Sequence, residues 1–201
     1  MIVTKESFGR VVESLSRPGQ YSLDTETHGV EFYDRLFSII IASADDTYYF
    51  NFNTLPDHNG RLPPEEHNLS GKIALMAPIF GRVDSLFFIH NAKFDMQKLR
   101  LEGLAINGKV HCTMAIERLI YNHYLEHSLD ACAKRRGMEK DKSVEDYIKK
   151  FGIYGVNSVG EKKPLYAQVP FFIMANYAEL DGRLAYFIGQ DQRRDLDVAA
   201  N

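Results

Sequence analysis

The segment YSLDTETHGV, positions 21–30, limits the fold more than any other stretch of the chain. It opens as an apolar, strand-like run and closes on two carboxylates, Asp24 and Glu26. Two further acids stand in comparable settings, Asp95 in FFIHNAKFD and Asp181 in NYAELDGRLAYF. Tyr177 precedes Asp181 by one helical turn, so both lie on one face of a helix. Carboxylates collected from separate, buried-looking segments repel one another. A divalent cation answers that repulsion, because hard cations take oxygen ligands.

Around this segment the chain reads as an α/β domain. Thr4 can cap a first helix with Phe8, Val11, Val12 and Leu15 at helical spacing, and Arg17-Pro18-Gly19 ends it. Positions 21–24, 37–43 and 47–52 read as three strands, the last two joined by a tight turn at Asp45-Asp46. That predicts an opening antiparallel meander. Positions 53–70 carry three prolines and read as a long loop. Helices then alternate with strands. A short helix is expected at 72–80, a continuous apolar strand at 86–90, and a helix capped by Asn91 and running to about Glu102. Asp95 then falls just past a strand's C-terminal end, where α/β sheets bind ligands. Helices at 113–121 and 128–136 follow. The charged stretch 134–150 reads as short and exposed, 151–169 as irregular, and 170–190 as a strong final helix. No linker divides the chain, so 1–201 is expected to be one domain. The tail, about 190–201, reads as a helix running on toward a point of truncation.

Composition narrows the setting. At 201 residues the chain can bury a sizeable core, and 45% hydrophobic with 25% charged residues is ordinary for a globular protein. A net charge of −3 supplies no global basic field, so nucleic acid would have to be held by local basic patches or metal ions. Cys112 and Cys132 form neither a CxxC pair nor a disulfide framework, which suits a reducing cytosol. No leader-like N-terminus and no membrane-spanning apolar run is visible.

Taken in order, D-T-E at 24–26, N-A-K-F-D at 91–95 and Y-A-E-L-D at 177–181 resemble the three motifs of the DEDDy 3′–5′ exonucleases. The likeness is to the proofreading exonuclease domain of family A (DNA polymerase I type) polymerases. CTMAIERLIY, HSLDACAKRRG and AELDGRLAYFI add to it, and it covers roughly residues 20–190. One departure is Cys112, where the family often has Asp before Thr-Met; that position is not a metal ligand. The resemblance implies a ribonuclease H-like mixed sheet, the first three strands an antiparallel meander and the later ones parallel, flanked by helices. It implies a two-metal-ion exodeoxyribonuclease acting on single-stranded DNA 3′ ends and releasing 5′-mononucleotides. Asp24, Glu26 and Asp181 would hold one Mg²⁺, and Asp24 and Asp95 a second, with Mn²⁺ able to substitute. Tyr177 would orient the attacking water, since a phenol of ordinary pKa about 10 is a poor base. Val30 and Val144 would lie against the terminal bases, Asn91 would bond the last nucleotide, and Thr25 belongs to the same substrate-binding set. A polymerase domain, absent from these 201 residues, would be the covalent partner, and the setting a cytoplasm: a nucleoid, or a host cytosol for a viral protein. A ribonuclease D-like RNA exonuclease and a decayed nucleic-acid-binding module stand as alternatives.

Weaker signals have plainer readings. His123–His127 matches H-x-x-E-H, a zinc pattern that needs one continuous helix, whereas Ser128 reads as the cap of a new one. Lys134–Arg136 reads either as a solvated face or as a phosphate contact. His28 reads as an exposed loop residue.

Overall fold

A computed structural model describes residues 1–199 of the chain. Its centre is a mixed sheet of order β3-β2-β1-β4-β5. The strands are β1 (Gln20–Thr27), β2 (Leu36–Ala42), β3 (Thr47–Asn51), β4 (Leu86–Ile89) and β5 (Lys109–Cys112). β1 to β3 form the antiparallel meander, and β1, β4 and β5 run parallel. β2, LFSIIIA, is buried along its whole length, as expected of a strand covered on both faces.

Helices supply those covers. On one face, α1 (Phe8–Leu15), the single turn α2 (Ala77–Phe80) and α3 (Ala92–Leu101) pack with Leu23, Ile39, Ile41, Phe50 and Phe87. On the other, α6 (Ser143–Phe151) and the long α7 (Phe171–Ala199) pack with Phe37, Ile40 and Tyr49. The helices α4 (Thr113–Ile120) and α5 (Leu129–Arg135) complete the domain at one end of α7. A hairpin, β6 (Tyr154–Val156) with β7 (Lys162–Pro164), stands apart from the main sheet.

Two glycines let α7 sit directly on the sheet. A Cβ at Gly182 would lie 2.6 Å from the Ile40 side chain, and one at Gly189 would lie 2.2 Å from Phe88. Glycine in a helix interior costs about 1 kcal/mol relative to alanine, so both positions trade helix propensity for close approach. At Gly182 the contact is locked by a 2.6 Å hydrogen bond, the Ser22 hydroxyl donating to the Gly182 carbonyl. Asp181 is thereby brought against β1.

The regular first helix begins at Phe8, and the turn before it carries the expected Thr4 cap: Thr4 Oγ1 accepts from the Ser7 amide, Ser7 Oγ accepts from the Thr4 amide, and the Thr4 carbonyl accepts from the Phe8 amide. Several expectations are corrected. The 72–80 helix is a 3-10 turn, Ile73–Met76, followed by the one turn of α2 with Pro at its start. Between α3 and α4, where the sequence pattern assigns no element, β5 is a short four-residue strand with Gly108 before it. The stretch 134–150 is not simply exposed: α6 buries Val144 and Ile148, one helical turn apart. Likewise 151–169 holds β6 and β7. The final helix extends through Ala199, so the expected helical tail continues that far; residues 200–201 lie outside the described residues. No helix among the described residues is long and apolar enough to cross a membrane.

Candidate active site

Asp24 and Glu26 alternate with Thr25 along β1. Ser22, on the same face as the two acids, bonds to α7, so the acids face α7 while Thr25 faces α3. A bulge interrupts the β1–β2 register between Glu26 and Thr27, where such irregularities re-aim side chains. Asp181 and Tyr177, stacked on one face of α7, close the site from above. Asp95, in the first turn of α3, enters from the opposite side at the C-terminal ends of β1 and β4.

The electrostatics follow from this convergence. Asp24 is pushed up to about 7, first by burial and then by Asp181, with Lys140 opposing. Glu26 is raised well above the carboxylate range by burial, then by Asp24 and Asp181. Asp95 is raised in the same sense by burial and by Asp24. Asp181 rises to about 6 through burial, held back by Lys140. Asp24 and Glu26 still keep part of their surface open to solvent, so the cluster lines a cleft rather than a sealed core.

Lys140, from the segment between α5 and α6, enters this cluster. Its ammonium lies 2.8 Å from Asp181 Oδ2 and 3.3 Å from Glu145 Oε1, and it donates to the Tyr177 hydroxyl. Burial works against its charge, yet Asp181 and Glu145 raise its pKa overall. Tyr177 in turn donates to Glu145 Oε1 at 3.2 Å. Its phenol is pushed strongly up by burial and by Asp181, so it stays protonated and can position but not abstract.

Does this donor set suit a divalent cation? No three His, Cys, Asp or Glu side chains among the described residues stand in a finished metal-holding arrangement. The chemistry nonetheless fits. The donors are carboxylate oxygens, Asp181 Oδ1 is buried with no hydrogen-bond partner, and the acids repel one another with a charge that one lysine offsets only in part. A hard cation is the group such oxygens accommodate.

The remaining sequence candidates divide. Asn91 is exposed and stands at the N-cap position of α3, with a left-handed backbone at φ 61°, but its side chain makes no capping bond and only its carbonyl accepts, from the Phe94 amide. Asn tolerates this region better than most residues. Val30 is exposed on the loop after β1. Thr25 does not face the cleft: it is buried, and its hydroxyl donates to Asp95 Oδ1 at 2.7 Å, which makes it a support for Asp95. Val144 is 0% exposed and packs in the core with Ile148 and Tyr177, so no base can lie on it here. His28 is half-buried and packs on Phe37, with its pKa lowered by burial. His123 and His127 fall in an irregular segment, and Ser128 does cap α5, accepting from the Ala131 amide. Arg135 and Arg136 are neither solvated nor turned toward the cleft; both bind the buried Glu117.

Sequence reading missed Lys140, Glu145 and Gly182. Lys140 hides in a charge-rich stretch, where the Val144/Ile148 spacing was the available sign that α6 folds inward. Gly182 directly after Asp181 was a sign of close helix–sheet approach.

Comparison with known proteins agrees with this geometry. The family model described as 3′-5′ exonuclease matches residues 1–196. The DNA polymerase DpoZ of Acinetobacter phage SH-Ab 15497 is 30% identical over 189 residues, covering 88% of this chain and 27% of that protein. The chain thus spans about a quarter of the length of the curated relatives it matches. Among solved structures, Escherichia coli RNase D superposes with a TM-score of 0.67 at 14% identity, over 100% of this chain and 46% of that one. Brucella melitensis NrnC, described with bound Mg²⁺, gives 0.56 at 19% identity, over 90% and 76%. These two likenesses speak to the fold, a ribonuclease H-like mixed sheet. With the family model spanning nearly every residue and the three acidic motifs meeting in one cleft, the chain belongs to the 3′–5′ exonuclease family.

Proposed function

We propose that this chain hydrolyses DNA from unpaired 3′ ends, releasing 5′-mononucleotides, and serves as the proofreading exonuclease beside a polymerase domain. The carrying observation is the convergence of Asp24, Glu26 and Asp181 with Tyr177 in one cleft, their carboxyl pKa values raised by burial and mutual repulsion. Asp24, Glu26 and Asp181 would hold one Mg²⁺, and Asp24 with Asp95 a second; the magnesium described with the fold neighbour NrnC supports that choice of ion. When bound, such a pair lowers the pKa of a water and stabilises the leaving oxygen.

The protein's own residues set the geometry. Thr25 holds one oxygen of Asp95, leaving the other for the cleft. Tyr177, protonated, offers a hydroxyl to place the attacking water. Asn91, exposed at the β4–α3 junction, offers an amide to the terminal nucleotide. Likeness to phage DNA polymerases favours DNA over RNA. The experiment is digestion of matched, labelled DNA and RNA single strands with Mg²⁺ and with Mn²⁺, following polarity. Shortening of DNA from the 3′ end, abolished by EDTA, is expected. Cleavage from a blocked 3′ end, or faster digestion of RNA, would overturn the reading.

A further inference from the structure

Beyond the acidic cleft, one rim of the molecule displays large apolar side chains that no packing requires. Phe32 and Tyr33, in the loop joining β1 to β2, are 67% and 62% exposed. Val159, at the tip of the β6–β7 hairpin, is 74% exposed. Loop and hairpin are distant in sequence but form one body. Ser158 donates through its amide, at 3.0 Å, and through its hydroxyl to Glu31 Oε1, and Lys163 pairs with Asp34.

The loop is built rather than loose. Lys98, a fully buried lysine of α3, donates to the carbonyls of Glu31 and Asp34, at 2.9 Å in the second case. Asp34 accepts from the Glu31 amide at 3.0 Å, and the His28 amide donates to the Arg35 carbonyl. Burying an ammonium is costly unless it is hydrogen-bonded, so the chain spends buried lysine chemistry on holding this loop in shape. A loop fixed so firmly, with its aromatic residues turned outward, is a preformed surface.

Its position names its occupant. The loop leaves β1 two residues after Glu26. At the other end, Tyr166 follows the hairpin by two residues and interacts electrostatically with Glu26 and Asp181. Both ends of the rim therefore lead into the cleft. Lys162, exposed on β7 of the hairpin itself, sits 3.8 Å over the Tyr154 ring. With a net charge of −3, grip on a polyanion must come from contacts other than a global field, and aromatic stacking is sequence-tolerant.

We infer that the loop 28–35 and the 154–164 hairpin form a stacking platform for unpaired bases upstream of the 3′-terminal nucleotides. Phe32 and Tyr33 are its anchors, Val159 is its apolar flank, and the partner is a nucleic-acid single strand. The inference rests on the exonuclease reading and extends the substrate track beyond the cleft.

The test uses fluorescence anisotropy with labelled oligothymidylates in calcium, which supports binding while suppressing turnover. One probe of about 12 nucleotides reaches the rim, and one of about three fills only the cleft. Phe32→Ala/Tyr33→Ala should weaken the longer probe by roughly tenfold or more and leave the shorter one unchanged. Phe32→Trp should bind the longer probe as well as the native chain does. Unchanged binding of the longer probe by the double variant, or equal weakening of both probes, would overturn the platform; the first result would leave the rim as a contact for other polypeptide. Magnesium-dependent hydrolysis of the short probe is measured in parallel. Its absence from the native chain would indict the exonuclease reading itself, whereas native hydrolysis with no length-dependent loss indicts only the platform.

Discussion

Two buried groups of charge lie on opposite ends of α7, and they are resolved in opposite ways. Glu117 of α4 is fully buried, yet its two oxygens accept from Arg135, Arg136 and Gln192 at 2.6–3.0 Å. Burial alone would raise its pKa, but these donors outweigh burial and lower it. At the cleft, Asp24, Glu26 and Asp181 share one ammonium, Asp95 draws nothing from it, and all four are raised. The first group is complete within the chain. The second carries an excess of like charge that the fold tolerates without cancelling. Charge that is satisfied internally holds structure, and charge left in excess beside solvent marks the place where cations are needed.

The widest separation between the two should come from removing carboxylates. Asp24→Ala with Glu26→Ala should abolish hydrolysis while the metal-free fold holds or gains stability, because repulsion is relieved. Glu117→Ala should do the reverse, costing about 3–5 kcal/mol by stranding two arginines, with a much smaller effect on the rate of the folded fraction. Denaturant melts in EDTA and initial rates in Mg²⁺ read both. A double variant keeping more than about a tenth of the native rate would break the metal assignment. Tyr177→Phe should be milder than the double substitution, a loss of about tenfold to hundredfold, since the ligands remain and only water placement suffers. Loss equal to that of the double variant would give Tyr177 a larger part than positioning.

This contrast also marks what could be read before the fold was seen. The acids of the cleft were legible because each sits in a short local pattern: a strand ending in D-T-E, a strand followed by N-A-K-F-D, and a helical Y-x₃-D. The meander was legible from its β-branched runs and its Asp45-Asp46 turn, where the Ser43 amide donates to the Asp46 carbonyl. Glu117 and the two arginines lie in CTMAIERLIY and HSLDACAKRRG, segments whose local pattern says nothing of their meeting. Their meeting is a long-range fact, nearly twenty residues of chain apart, and a run such as KRR carries no local sign that two of its members point inward. Lys140 was hidden for the same reason. Val144 and Thr25 show the opposite error: sequence position placed them near the substrate, but α6 turns Val144 into the core and strand alternation turns Thr25 toward Asp95.

The two clusters predict opposite limbs in the pH dependence of stability without metal. At the cleft, Asp24 near 7 and Asp181 near 6 stand above the ordinary carboxylate value of about 4. Between those values the folded chain keeps protons that the unfolded chain releases, so stability falls as pH rises from about 4 to about 7 and levels off beyond. Glu117 has a lowered pKa, so its contribution is present above the ordinary carboxylate value and is lost as pH falls through its folded value. Urea melts in EDTA across this range should therefore show a maximum in the acid region. Asp24→Asn with Asp181→Asn should flatten the upper limb and leave the lower one. Stability that climbs steadily toward neutral pH in EDTA would contradict the raised carboxylates.

The smallest effect belongs to Lys140, the one residue that makes the cleft resemble the Glu117 cluster. Its ammonium stands 2.8 Å from Asp181 Oδ2, beside the unpartnered Oδ1 of the same carboxylate. A divalent ion held by Asp181 would stand next to this ammonium, and part of the ion's binding free energy would go into that exchange of cations. Lys140→Met keeps the apolar stem and removes the charge. Without metal, the acids then lose the charge that offsets them, so the variant should melt at lower denaturant than the native chain. With metal, the exchange vanishes, and Mn²⁺ affinity by titration calorimetry should rise several-fold, toward about tenfold for an exchange costing about 1.4 kcal/mol. Repeating the titration with Asp181→Asn in both backgrounds isolates the pair, since the gain should shrink when the shared carboxylate is gone. Weaker Mn²⁺ binding by Lys140→Met would mean that Lys140 organises the carboxylates for the ion instead of competing with it, and the cleft would then be closer to the self-completed Glu117 cluster than its raised pKa values imply.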